Sequence, residues 1–187
     1  MDTRSRLVAA TQELLWERGY AATSPKDILG RAKAGQGSMY HHFSGKQELA
    51  AVALEQSAEA MRQDAQALLA GEGSAIERVI AYLERQRNSL RGCRMGRMTY
   101  DADVLATPEL LRPVAETLEW IVDALTDVIR QGIKAGELPV GTNPEQLAST
   151  VVATVQGGYV LARAQQDPAA FDAAVEGAVS LLRSQSQ

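Results

Sequence analysis

Between Ser24 and Lys46 the chain reads S-P-K-D-I-L-G-R-A-K-A-G-Q-G-S-M-Y-H-H-F-S-G-K. Two helix signatures lie here so close together that only a tight turn fits between them. A serine hydroxyl at Ser24 accepts an orphan backbone N–H, and Pro25 stands at the first helical position, where its missing N–H costs nothing. Asp27, three residues after the cap, closes a short-armed capping box. Ile28, Leu29 and Ala32 then form one apolar face. A-K-A-G is too short for a loop and suits a turn. The second helix is predicted over Gln36 to Phe43, with Met39 and Phe43 inward at i, i+4 spacing. That leaves Gln36, Ser38, Tyr40, His41 and His42 near one outer surface, polar and aromatic and free of acid. Such a set suits entry into a DNA major groove, where short hydrogen-bonding side chains meet base edges and phenol or imidazole meets phosphate. Two helices about a tight turn make a helix-turn-helix.

The runs G-Y-A-A-T-S-P-K-D-I (Gly19 to Ile28) and G-S-M-Y-H-H-F-S-G-K-Q-E-L (Gly37 to Leu49) closely resemble the DNA-binding domain of TetR-family transcriptional regulators. The likeness covers residues 3 to about 50 at motif level; the remainder matches in length and helical pattern. Lys33 departs from it, standing at the turn position where the family usually has Gly. A left-handed residue there costs Lys more than Gly. The resemblance implies phosphate contact through the Tyr40 hydroxyl and places Lys46 at the DNA backbone. Gly37 belongs to the matched motif. From the residues themselves, His41 suits a phosphate, Ser38 a base or phosphate, and Gln36 an adenine edge. Thr23 and Ser24 have hydroxyls within reach of the backbone, although capping is sufficient for Ser24. Tyr40 has an alternative as a core phenol.

The net charge of −4 is unevenly spread: residues 1–50 hold seven Lys/Arg against five Asp/Glu and both histidines, and the rest hold twelve against eighteen. A mildly basic head on an acidic body fits DNA contact at one end. The single cysteine, Cys93, permits no intrachain disulfide and suits a reducing cytosol. The start M-D-T-R-S-R lacks a signal-peptide core, and no apolar stretch has the length to span a bilayer. A cytoplasmic protein without membrane contact is expected.

Alanine is abundant and β-branched runs are rare, so the fold is predicted all-α with about nine helices. A three-helix head over residues 1–47 is followed by a helical ligand-binding and dimerisation domain over 48–187. Asp2 or Thr3 caps a first helix to Arg18, with Leu7, Ala10, Leu14 and Leu15 inward. Arg4 and Arg6 read equally as a DNA-contacting arm or as solvated charges. Ser44 and Gln47 give an S-x-x-Q capping box for a long fourth helix, whose N-terminus with Lys46 suits a phosphate. Ser74 and Glu77 open the fifth, predicted to end at Gly92 with Leu90 inward. A short sixth helix is expected to about Ala106. The seventh begins at Thr107-Pro108, and Pro113 should kink it or separate its first turns. Asn143-Pro144 and Asp167-Pro168 start the eighth and ninth.

Glycines within a helix cost roughly 1 kcal/mol each relative to Ala. Gly157-Gly158 therefore reads as close approach by another helix, or as a bend at an internal site. The first reading, which agrees with the resemblance, pairs helices eight and nine with their symmetry mates through Val155, Gly157, Gly158, Ala162, Phe171, Val175 and Leu182.

No nucleophile, base and orienting group fall into a catalytic set, so no enzyme is expected. The adjacent histidines point roughly 100° apart on a helix and cannot chelate one metal; no metal and no cofactor is expected. Asp101 and Asp103 are expected to face solvent. Cys93, flanked by Arg91 and Arg94, reads as a thiol sensor or as a small buried hydrophobe. The resemblance also implies an effector pocket in the body, for which Met95, Met98, Tyr100, Trp120 and Tyr159 are candidates, each with ordinary core as its alternative. It implies a ligand-responsive repressor: a homodimer placing two recognition helices on a pseudo-palindromic DNA operator and released by a small apolar or amphipathic effector. An activator is a variant of this. The rival is a small-molecule-binding protein on the same scaffold without specific operator binding.

Overall fold

The computed structural model describes residues 2–185. These form ten helices and no strand: α1 Thr3–Arg18, α2 Pro25–Ala32, α3 Gln36–His42, α4 Lys46–Leu69, α5 Ala75–Glu84, α6 Arg94–Met98, α7 Ala102–Ala106, α8 Pro108–Lys134, α9 Pro144–Gln165 and α10 Ala169–Gln185. They gather into two compact units that do not follow chain order. One holds residues 1–60 and 93–117; the other holds 61–92 and 118–187. Helices α4 and α8 each give their first part to the first unit and their second part to the other.

In the first unit, Asp2 caps α1 by accepting from the Ser5 N–H at 2.7 Å. The inward stripe of α1 is Leu7, Val8, Ala10, Thr11, Leu14 and Leu15. Gly19 stops the helix at φ 86°, its N–H donating to the Leu15 carbonyl. Ile28, Met39, Phe43, Leu49 and Leu54 are buried with them, as are Met95, Met98, Val104 and Leu110 from the later segment. Truncating Met39, with 0% exposure, to Ala removes a filled core position at a cost of about 2–5 kcal/mol.

The start of α4 differs from the S-x-x-Q expectation. Glu48, not Gln47, reaches back, accepting from the Ser44 N–H at 2.6 Å and the Ser44 hydroxyl at 2.7 Å. A carboxylate takes both donors at once, and a neutral amide takes them less strongly. The expected sixth helix is two short ones, because Asp101 accepts from the Asp103 and Val104 N–H groups and starts α7 afresh. That adds the tenth helix. Helix α8 runs unbroken through Pro113. The carbonyl that Pro113 leaves without its donor belongs to Glu109 in the exposed first turn, where water can serve it.

In the second unit, Ser74 and Glu77 form the expected capping box. Helix α5 ends at Glu84 and does not reach Gly92, and Leu90 is 39% exposed rather than inward. The reason is Arg87, whose guanidinium donates to the carbonyls of Tyr82 (2.5 Å), Leu83 (2.7 Å) and Arg85 (3.0 Å). It satisfies the last carbonyls of α5 while lying over the Tyr82 and Phe171 rings. Asn143 caps α9 by accepting from the Gln146 N–H at 2.9 Å. Helices α9 and α10 pack along most of their length through Val151, Val155, Gly158, Tyr159, Ala162, Phe171, Val175, Val179 and Leu182, all buried.

Candidate nucleic-acid interface

Helix α2 begins as its sequence dictates. The Ser24 hydroxyl accepts from the Asp27 N–H at 3.2 Å and donates to Asp27 Oδ2 at 2.6 Å, and the Ser24 N–H meets the same oxygen at 2.9 Å. These bonds hold the Asp27 carboxyl below its usual range. Helix α2 ends at Lys33 with φ 50° and ψ 47°, the left-handed conformation that glycine adopts more cheaply. Arg31 on α2 grips Glu17 on α1 through two parallel bonds of 2.9 and 2.8 Å.

The turn delivers α3 with Met39 fully buried and Phe43 beneath it. Gln36, Gly37, Tyr40 and His41 are exposed on the opposite face, at i, i+1, i+4 and i+5, while Ser38 and His42 are half-buried. Tyr40 is 54% exposed, which disposes of its core alternative. The two imidazoles stand edge to face at 4.8 Å, and among the described residues no three His, Cys, Asp or Glu side chains come together to hold a metal ion.

One candidate is corrected. Thr23 is 1% exposed and its hydroxyl donates to the Gly19 carbonyl at 2.6 Å, so it braces the α1–α2 turn from within. Ser24 is exposed, and its hydroxyl meets Asp27 Oδ2 in the capping role that is sufficient for it. Lys46 stands in the first turn of α4, its ammonium 3.8 Å from the centre of the Tyr20 ring. Partial burial lowers its pKa, against an opposing pull from Asp103 and Asp101. Arg4 lies over the Phe43 ring at 5.4 Å, and Arg6 donates to the Thr3 hydroxyl.

Asp101 is the residue that sequence reasoning missed. It does not simply face solvent: Oδ2 accepts from the N–H groups of Tyr20 at 2.7 Å and Ala21 at 2.9 Å. Nothing local signals a partner 81 residues away. Asp103 is exposed as expected. Arg94, expected beside the thiol, instead meets Glu13 at 2.7 Å and lies over the Trp16 ring at 3.9 Å. Cys93 serves as the cap of α6, its sulfur accepting from the Gly96 N–H at 3.2 Å.

Of the effector candidates, Met95 and Met98 are fully buried in the first unit, and Tyr100 is 80% exposed and encloses nothing. Tyr159, buried in the second unit, packs on Phe171 with ring centres 4.9 Å apart. Trp120 is half-buried and lines an open groove of about 460 Å³ with Gln66, Leu69, Arg78 and Asp123. The proposed dimer residues also turn out differently. Val155, Gly158, Ala162, Phe171, Val175 and Leu182 are buried within the chain, because they form the α9–α10 contact itself. Gly157 alone of that set is exposed. The outer side of the pair instead carries Val160 (51% exposed), Leu161 and Leu181 (69%). It also carries an apolar groove of about 570 Å³ lined by Thr150, Thr154, Ala173, Ala174, Gly177 and Leu181.

A buried-core helix-turn-helix presenting an acid-free face defines a DNA-binding protein of the helix-turn-helix class. Comparison with known proteins fixes the family. Residues 7–53 match the profile described as bacterial regulatory proteins, tetR family, and residues 73–178 match the tetracyclin repressor-like C-terminal domain. The chain belongs to the TetR family and is a DNA-binding transcriptional regulator. It is 26% identical over 170 residues to the transcriptional repressor NemR of Escherichia coli, covering 87% of this chain and 84% of NemR. An uncharacterised helix-turn-helix regulator of Mycobacterium tuberculosis is 27% identical over 176 residues, covering 90% and 88%. The reduced-form crystal structure of NemR superposes with a TM-score of 0.85 at 24% identity, over 100% of this chain and 98% of that one. A TetR-family regulator from Agrobacterium tumefaciens does so at 0.88 and 22% identity, over 99% and 98%. Among the described residues no helix is long and apolar enough to cross a membrane.

Proposed function

We propose that this regulator is a ligand-responsive repressor, in which residues 1–47 bind DNA and residues 48–187 dimerise and receive a small apolar or amphipathic effector. The observation that carries the reading is the outward face of α3, where Gln36, Gly37, Tyr40 and His41 stand together above a fully buried Met39. Gln36 would read a base edge, and Tyr40, His41 and Lys46 would take phosphates, with Ser38 at the edge of the contact.

The homodimer would form through the outer side of α9 and α10, where Gly157, Val160, Leu161, Gly177 and Leu181 leave apolar surface and room for close approach. Two copies of α3 would then enter successive major grooves of a pseudo-palindromic operator. Effector binding would favour a head spacing that no longer fits both half-sites, and the affinity of two linked contacts falls steeply with such a mismatch. Trp120, beside its open and largely polar groove, is our candidate for effector contact. The name of NemR supports repression. The chain's single cysteine is consistent with a cytoplasmic setting.

The test is titration of the protein into labelled duplex from its own upstream region, against a scrambled duplex, at two salt concentrations. Specific binding stronger than the scramble by about three orders of magnitude is expected. Affinity no better for genomic selections than for random sequence would favour the rival, a small-molecule-binding protein on this scaffold.

A further inference from the structure

Asp101 joins two places that are far apart in sequence. One oxygen accepts from the Asp103 N–H at 3.2 Å and the Val104 N–H at 3.4 Å, and so starts α7. The other holds the Tyr20 and Ala21 N–H groups at 2.7 and 2.9 Å, and so clamps the turn between α1 and α2. The fit is close, since a Cβ added at Gly19 would stand 2.9 Å from that oxygen. Bonds of this kind to an ionised carboxylate are roughly twice as strong as neutral ones.

The clamped turn carries Tyr20, and the Tyr20 ring carries the Lys46 ammonium at 3.8 Å. The geometry points to Asp101, outside the helix-turn-helix, as a positioning residue for DNA binding: by fixing the α1–α2 turn it fixes the Tyr20 ring and so holds Lys46 in place at the start of α4. A lysine already held there gives up less rotamer freedom when it meets a phosphate. Both Asp101 oxygens are engaged by backbone N–H groups, so beyond its electrostatic pull on Lys46 it makes no hydrogen bond to the ammonium and positions it through the turn. The inference rests on the reading of Lys46 as a phosphate contact.

The experiment measures operator affinity against salt for the full chain, using wild type, Asp101→Asn, Tyr20→Leu, Lys46→Ala and the two doubles with Lys46→Ala. An asparagine has one accepting oxygen and one NH₂, so one of the two N–H pairs then faces a donor. Asp101→Asn and Tyr20→Leu should each weaken specific binding about tenfold. Their salt slopes should fall by about 0.9 for each phosphate that is no longer neutralised. Both substitutions should be silent in the Lys46→Ala background, because they act through Lys46.

Wild-type affinity and slope in both single variants would overturn the inference, as would losses that persist at full size on top of Lys46→Ala. If Asp101→Asn fails to melt cooperatively, Asp101→Glu takes its place, since the longer arm keeps the charge but displaces the carboxylate from the Tyr20 and Ala21 N–H groups; wild-type affinity and slope in that variant would equally overturn the inference. A Lys46→Ala protein with unchanged slope would instead sink the phosphate reading, and the inference with it. Reduced slope in Lys46→Ala but not in the other two sinks the inference alone.

Discussion

Gly158 and Phe171 touch so closely that a methyl group on the glycine would lie 2.9 Å from the ring's Cδ2. The ring cannot easily yield, because Tyr159 packs against it with centres 4.9 Å apart. Gly158→Ala gains up to about 1 kcal/mol of helix propensity but overpacks at about 1–3 kcal/mol, so a net loss of about 1 kcal/mol is expected. Gly30, inside α2 with no atom within 4 Å of an added Cβ, should show the opposite sign. Gly30→Ala should gain about 0.5–1 kcal/mol. Urea denaturation of the two variants checks both signs.

Lys33 holds the end of α2 at φ 50°. Glycine adopts that conformation without the Cβ clash, so Lys33→Gly should stabilise the protein by about 0.5–1 kcal/mol despite its looser unfolded chain. A thermal midpoint raised by a few degrees is the expected reading. A lowered midpoint would mean the Lys33 side chain contributes something beyond its backbone.

Acid should loosen the capped helix starts. Asp27, Glu48 and Glu77 are held below their ordinary values by hydrogen bonds from Ser24, Ser44 and Ser74. A carboxylate whose folded pKa is depressed stabilises the fold fully above its unfolded value, about 4, and loses that contribution as pH falls through the folded value. The thermal midpoint should therefore hold from pH 7 to about 5 and fall below about 4. Glu77→Gln should have a lower midpoint at pH 7 and a shallower fall in acid. Parallel curves for the two proteins would contradict the assignment.

Leu181 is 69% exposed on the outer side of α10. Leu181→Glu leaves the single chain's packing almost untouched, within about 0.5 kcal/mol, but places a charge in the apolar surface proposed to meet a second copy. Sedimentation at micromolar protein should shift from dimer to monomer, with operator affinity falling in step. An unchanged dimer would move the interface off this surface.

Much of this architecture is local and could be read from the chain. The Ser24–Asp27 and Ser74–Glu77 boxes and the Asn143 cap join residues three apart, and each helix begins where its cap stands. The inward pair Met39 and Phe43 follows from spacing alone. The misreadings arise where a side chain with no fixed local signature intervenes. Arg87 ends α5 with no glycine at the break. Glu48 outcompetes Gln47 for Ser44 because it is charged. The Gly158 signal was real, but its partner is Phe171 of the same chain, and a sequence does not say whose ring fills the space. Asp101 is the extreme case, since its distant partners are backbone N–H groups, which carry no residue-specific mark at all.

The first compact unit is built from residues 1–60 and 93–117, so its parts are made at different times. At about 5–20 residues per second, roughly 3–11 seconds of synthesis separate the arrival of Ala60 from that of Thr117. During that interval the nascent chain has its recognition helix but not α6, which packs on α1, nor the buried Met95, Met98, Val104 and Leu110 of the same unit. A message cut short before Cys93 would therefore yield a polypeptide that contains the motif but lacks the later-made part of the compact unit to which the motif belongs.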